Sequence, residues 1–236
     1  MASSTGPRPT RLNRDFVLRT AVALADERGI DAVSMRNLAD ALDVVPMALY
    51  KHVANKHELL DGMVDVVVAG IGPTPDGAEA WRPAVRRRIL SARRTMQQHT
   101  WTRRVIETRT TRSPVVLGYL DSIAAIFLGG GLSADLVHHA MHAIGSRVWG
   151  FTQDVFDSDT PTPPPDPEVM ADLAARLPSL AAVAGAVSHD TDTTVGHGCD
   201  DQFEFEFALD ILLDGIERRH ESGWTSSAPP EGSTLT

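Results

Sequence analysis

The sequence predicts an all-α protein, and three observations carry that prediction. Apolar residues recur at intervals of three and four through most of the chain, the period of one face of a helix. No alternating apolar-polar pattern of the strand type survives inspection. The breaks between periodic stretches fall at Gly, Pro, Asn and Ser clusters, which stop or cap helices.

The elements follow in order. Residues 1–12 read as a flexible arm with Arg8 and Arg11 among prolines and small polar residues. From Asn13, Phe16, Val17, Thr20, Ala21, Leu24 and Ala25 mark one face of an amphipathic helix that stops at Gly29. Ser34 is an N-cap for a short helix, Met35 to Leu42. Asp43-Val44-Val45 is a break. Pro46 suits a helical first turn, where its missing N–H leaves nothing unpaired, and opens a second short helix to about His52. Asn55 caps a longer helix, Lys56 to about Ala69. GIGPTPDG, from Gly70, marks a loop and a domain boundary. Further helices are expected at about 78–99, 101–109, 114–128 and 134–156. TPTPPPDP, Thr160 to Pro167, reads as an extended linker. Helices at 167–187 and 201–221 complete the set, with a polar stretch at 188–200 between them and a disordered tail from about 223. The expected organisation is therefore an arm at 1–12, a small helical domain at 13–70 and a larger one at 71–222.

The composition excludes several classes. No apolar run approaches the roughly 20 residues of a membrane span. The first residues lack the apolar core of a secretion signal, and Cys199 is the single cysteine, so no disulfide can close within the chain. A cytoplasmic protein is expected. The net charge of −9 is unevenly placed: residues 1–60 carry eight Lys+Arg against seven Asp+Glu, so the acidity lies in the remainder. A slightly basic N-terminal part on an acidic body fits one surface aimed at phosphates. A basic arm is also a common form of disordered tail.

Two short helices around a three-residue break describe a helix-turn-helix, whose second helix enters the DNA major groove. Leu38, Ala39, Leu42 and Leu49 supply its internal contact, with Val44 plugging the turn. Met47, Ala48 and Lys51 then face outward, with Tyr50 and His52 adding hydrogen-bonding tips. Two surface helices of a bundle would show the same topology. Composition favours DNA: Lys51, His52, Lys56 and His57 cluster where Glu58 is the lone acid between Val44 and Leu60, and Lys51 and Lys56 are the two lysines of the whole chain. Donors of this kind reach phosphates.

Residues 34–60, SMRNLADALDVVPMALYKHVANKHELL, closely resemble the DNA-binding segment of the tetracycline-repressor (TetR) family. The matching features are Ser-x-Arg-x-Leu-Ala, Leu-Tyr-x-His-Val and Asn-Lys-x-x-Leu-Leu. The likeness is clear over about residues 12–70 and looser beyond, where QHTW (98–101) and FEFALDILLDGIE (205–217, counted with its neighbours Phe203 and Glu204) look like a regulatory domain of that family. The resemblance implies that Arg36 approaches a base edge, that Val45, Pro46, Met47 and Ala48 sit where bases are read, and that Tyr50, His52 and Lys56 grip phosphates. Lys51 joins them on the groove-facing helix. Residues 45–48 are all apolar, a departure from the polar amides of such positions. Apolar side chains read a thymine methyl rather than a purine edge, so Arg36, methyl contacts and DNA shape are expected to share the reading.

Double-stranded DNA with a palindromic operator and a homodimer are the expected partners, because a two-fold reads two half-sites. The last helix carries an apolar face of Phe205, Leu209, Leu212, Leu213 and Ile216, widened by Phe203, Phe207 and Ile211. Such girth implies cover on more than one side. With Val137 and Ile144 from the helix at 134–156, whose face also includes Met141 and Val148, this face is the expected dimer interface, a four-helix bundle from two chains. A single-chain bundle is the alternative. Trp101, Phe127, His138, Met141, His142 and Trp149 are the candidates for contact with a small-molecule effector of unknown identity, although part of that set would serve equally as core. His138 and His142 lie one turn apart, a spacing that also suits a metal, but no HExxH accompanies them. His197 and Cys199 lack a paired motif, and no metal or other cofactor is expected. The family's founding member holds a magnesium-bound drug with specific histidines. One of those positions falls on Ser146 here, so neither tetracycline nor magnesium is carried over. Gly129-Gly130-Gly131 is a hinge or helix cap rather than a phosphate loop.

The expected function is a ligand-responsive transcriptional repressor released from its operator by the effector. A DNA-binding dimer without a small ligand, as activator or under a protein partner, is the alternative. A metal-dependent helical enzyme is the weaker one, since no nucleophile motif or useful carboxylate pair is present.

Overall fold

The computed structural model describes residues 12–74, 77, 79–108, 112–149, 167–186 and 201–227, with no side-chain detail at a few positions, among them 107 and 146–149. The expected arm, the proline-rich linker, the stretch holding His197 and Cys199 and most of the tail lie outside the described residues. Among those described every regular element is helical. None of their helices is long and apolar enough to cross a membrane.

Local chemistry sets most helix ends. Helix α1 (Arg14–Arg28) starts where the Asn13 side chain accepts the Phe16 amide at 2.8 Å. It ends at Gly29, whose φ of +80° is a conformation that a Cβ disfavours. A 3₁₀ turn, Ile30–Ala32, follows. Ser34 caps α2 (Met35–Ala41) by accepting the Asn37 amide at 3.1 Å. Each such cap contributes about 1 kcal/mol.

The chain then passes through Asp43 at φ +52°. An aspartate tolerates this left-handed position better than most residues. The Val44 amide closes the turn on the Ala39 carbonyl at 3.0 Å. Helix α3 (Pro46–Leu49) has its proline in the first turn. The expected helix to His52 stops earlier and continues as a turn, with the His52 and Val53 amides both bonded to the Leu49 carbonyl. Helix α4 (Lys56–Ala69) is capped by Asn55, which accepts the Glu58 amide at 2.9 Å.

The body continues with α5 (Trp81–Gln98), α6 (Trp101–Glu107), α7 (Pro114–Gly129) and α8 (Ala134–Trp149). The single helix expected at 167–187 is two, α9 (Pro167–Arg176) and α10 (Pro178–Ala186). Pro178 removes an amide donor and disfavours helical backbone at Leu177, so the turn breaks there. Helix α11 (Asp201–Glu221) is the last.

Two compact units divide the chain: residues 1–141 with 225–236, and residues 142–224. In the first, α1, α2 and α3 pack in sequence and α4 packs against α1, α5, α6 and α7. Its core includes Val17, Leu38, Leu49, Leu59, Met63, Val64, Ile89 and Phe127, all essentially inaccessible. Gly62 lets α4 lie close on α1: a Cβ there would meet the Leu18 methyls at 2.6 and 2.8 Å. In the second unit α9 packs on α10.

Candidate nucleic-acid interface and its link to the helical body

The α2–turn–α3 segment is held from below and bare above. Leu38, Ala39 and Leu49 are fully buried, and Leu42 and Val44 partly so. Burying a leucine of this kind is worth roughly 1.5–3 kcal/mol. On the outer side Met47 is 71% exposed, Val45 68% and Tyr50 46%. Three large side chains exposed side by side make a patch of the kind that marks an interaction site. Pro46 and Lys51 are exposed beside them, Ala48 and His52 half-buried. Arg36 on α2 and Lys56 at the first residue of α4 are also exposed. Of the nine residues expected to meet DNA, Arg36 lies on α2, Pro46, Met47 and Ala48 on α3, Val45 and Tyr50 at its two ends, Lys51 and His52 in the turn that follows, and Lys56 at the start of α4.

Glu58 is the acid within this cluster, and its carboxylate is engaged locally. It accepts the Ala54 amide at 2.8 Å and lies 3.6 Å from the Arg14 guanidinium. Asn55 accepts the Glu58 amide while Glu58 accepts the amide of Ala54, one residue before the cap, an arrangement close to a capping box. Lys51, Lys56 and Arg36 make no ion pair among the described residues. Cations beside a helix N-terminus and exposed apolar side chains make a surface able to meet a polyanion and base methyl groups.

This segment is tied to the body through α1 and α4. Asp26 on α1 accepts the Trp101 indole N–H of α6 at 2.7 Å, and its two oxygens lie 2.8 and 3.0 Å from His99 Nδ1. Nearby, Arg104 of α6 donates to Asp31 at 2.8 Å. Ser113, the cap of α7, also hydrogen-bonds Asp65 of α4. These ties join residues far apart in sequence. Asp26, His99, Asp31, Arg104 and Asp65 were not legible as a group, because nothing local marks one exposed aspartate of a helix over another.

The six candidates for effector contact do not form one described cluster. Trp101 is 6% exposed and belongs to the junction with α1, where Asp26 holds its N–H. Phe127 is fully buried against Trp81, their rings 5.5 Å apart. His138 and His142 on α8 are exposed and Met141 is half-buried. The Trp149 side chain, like that of Ser146, lies outside the described residues.

Of the residues expected at a dimer interface, Val137, Ile144, Phe205, Leu209, Leu213 and Ile216 are buried within the single chain and Leu212 partly so. What α11 leaves outward is the other stripe: Phe203 is 62% exposed, Phe207 56% and Ile211 52%, with the two phenyl rings stacked 6.3 Å apart.

Comparison with known proteins bears on both parts. A family model described as bacterial regulatory proteins, tetR family, matches residues 17–63. A second, the tetracyclin repressor-like C-terminal domain, matches residues 73–220. The chain is 29% identical over 233 residues to the HTH-type transcriptional repressor DrrR1 of Streptomyces coeruleorubidus, covering 93% of this chain and 84% of that one. Among solved structures it is similar to apo ActR from Streptomyces coelicolor, at TM-score 0.70 and 25% identity over 91% of this chain and 99% of that one. The same protein in complex with (S)-DNPA gives 0.66 and 25% over 89% and 100%.

Proposed function

The chain belongs to the TetR family of bacterial transcriptional regulators, and on that premise we propose that it is a dimeric repressor that leaves a palindromic operator when a small molecule binds. The observation that carries this reading is the outward face of α3, with Val45, Met47 and Tyr50 exposed over a fully buried Leu49. Residues 13–70 read the DNA, and residues 71–222 take the ligand and form the dimer. Arg36 and residues 45–48 contact base edges and methyls, while Tyr50, Lys51, His52 and Lys56 meet phosphates.

Repression is supported by the likeness to DrrR1, a repressor, and ligand response by the likeness to ActR, which binds (S)-DNPA. The partner protomer is assigned to the outer stripe of α11, Phe203, Phe207 and Ile211, because the opposite face of that helix is already buried. The helix α4 is the lever, since it starts in the DNA-reading segment and packs on three helices of the body. A ligand can move it only if the two states bind the ligand unequally.

The test is a selection of bound sequences from genomic DNA by the purified protein, followed by gel shifts at two salt concentrations. Two inverted half-sites about 34–36 Å apart, bound by a dimer and weakened steeply by salt, are the expected result. A folded monomer, or a dimer that selects no sequence even after unfolding and refolding to strip bound ligand, overturns the reading.

A further inference from the structure

Val45 caps α3, and Pro46, Met47 and Ala48 are its first three residues. None of these four side chains carries an N–H, an O–H or an oxygen. A base edge in the major groove offers donors and acceptors that they have no means to meet. It offers one apolar group, the C5-methyl of thymine. The fold presents these side chains rather than hiding them. Val45 is 68% exposed and Met47 71%, while the next residue of the helix to be covered, Leu49, is fully buried. The Ala48 amide donates to the Val45 carbonyl at 2.9 Å, so the backbone of this tip is closed on itself.

The rest of the segment says what covers this apolar tip. Arg36, Lys51 and Lys56 are exposed in the same segment. Glu58, the one acid from Val44 to Leu60, is occupied with the Ala54 amide and Arg14. Cations without acids beside an apolar patch match a polyanion that carries methyl groups in its groove. The donors divide by task. Tyr50, Lys51, His52 and Lys56 are assigned to phosphates, contacts that fix register without reading sequence. Arg36 is the donor left for a base, and its guanidinium fits guanine O6 and N7. Whatever α3 itself reads is therefore read by apolar contact.

We propose that the operator positions under α3 are thymines recognised by their C5-methyl groups alone, that Val45 and Met47 are the residues that select them, and that 5-methylcytosine can stand in for thymine there. This rests on the reading of the chain as an operator-binding repressor. The recognised feature is a methyl carbon and not a base. Uracil has the pairing edge of thymine without the methyl and fails the test. 5-methylcytosine holds a methyl at the same ring position and passes it. Covering one methyl is worth about fourfold in affinity. The unbranched, polarisable Met47 side chain can follow a methyl through a small shift of the duplex. Each half-site then combines methyl-bearing pyrimidines with a guanine for Arg36.

The experiment uses the full chain and the duplex recovered by genomic selection. Each thymine is replaced in turn by uracil, and separately by cytosine or 5-methylcytosine with guanine opposite. Gel shifts read the affinity. At one or more positions of each half-site uracil is expected to weaken binding about fourfold. Cytosine weakens it at least as much, and 5-methylcytosine recovers the loss. In the double variant Val45→Ala with Met47→Ala, the preference for thymine over uracil shrinks to under about half its size, while the melting temperature stays within a few degrees, since both side chains lie outside the core. If uracil is tolerated at every position, if 5-methylcytosine is no better than cytosine, or if the preference survives in the double variant, the proposal is overturned and the repressor reading stands on the selected sequence. A double variant with unaltered operator affinity and a changed oligomeric state gives the patch to a second copy of the chain and also overturns it. A folded dimer that selects no sequence sinks both readings together.

Discussion

The DNA-reading segment and its junction with the body are built by opposite means. Around α2, α3 and the start of α4 the polar bonds are local: Ser34 with Asn37, Asn55 with Glu58, Glu58 with Ala54, each within five residues. At the junction they are remote: Asp26 with His99 and Trp101, Asp31 with Arg104, Asp65 with Ser113. A segment made by local caps and a small apolar centre holds its own shape and can be displaced as a body. A junction whose polar bonds are remote holds only while the helices that carry them keep their packing. The first arrangement suits reading, and the second suits control.

The largest effect that would break this contrast is on the local side. Leu49→Ala removes the anchor of α3 and is expected to cost about 2–5 kcal/mol. Specific operator binding should disappear in a gel shift while far-UV circular dichroism of the body is retained. Loss of the whole fold would show that the segment is not independent. Next is the junction. Asp26→Asn removes the charge held between His99 and Trp101, with an expected loss of roughly 1–3 kcal/mol in chemical denaturation. The unliganded protein should still bind operator within a few-fold of wild type, and the effector concentration needed for release should shift. A mutant that loses operator binding without effector would make Asp26 part of the reading segment instead.

Arg36→Ala should cost roughly 1–3 kcal/mol on the preferred sequence and relax selectivity at one position. Lys56→Ala should weaken all sequences evenly and lower the salt slope by about one. An even loss for Arg36 as well would remove it from base reading. Asn55→Ala tests a single cap, at about 1 kcal/mol, read as a lower urea midpoint with an unchanged slope. The smallest effect at neutral pH belongs to Tyr119. Burial pushes its phenol up to about 12, against the countering pull of Arg88. A raised pKa in the fold means the unfolded chain ionises first, so stability is intact below about 10 and falls as pH rises toward 12. Tyr119→Phe should flatten that alkaline loss and remove the late phenolate absorbance step.

The same contrast explains what the sequence made legible. The caps at Asn13, Ser34 and Asn55 and the proline of α3 are signals within one helical turn, and they place the short helices to within a few residues. The split between α9 and α10 was also written locally, in Pro178, but the surrounding apolar pattern runs across it. The placement of Trp101 was not legible. An aromatic residue on a helix face serves a ligand or a neighbour alike, and only folding brings Asp26 to its N–H. For α11 the period marked an apolar girth without saying which stripe the chain would cover itself. The buried stripe is Phe205, Leu209, Leu213 and Ile216, and the outer one Phe203, Phe207 and Ile211.

The scarcity of lysine has a practical consequence. Lys51 and Lys56 carry the only two ε-amines of the chain, and both stand exposed on the proposed DNA face. An enzyme that acylates lysine side chains therefore writes only on that face. Acetylation there would cancel both point charges at once. Conversely, protection of two peptides from labelling would report operator occupancy without any engineered tag.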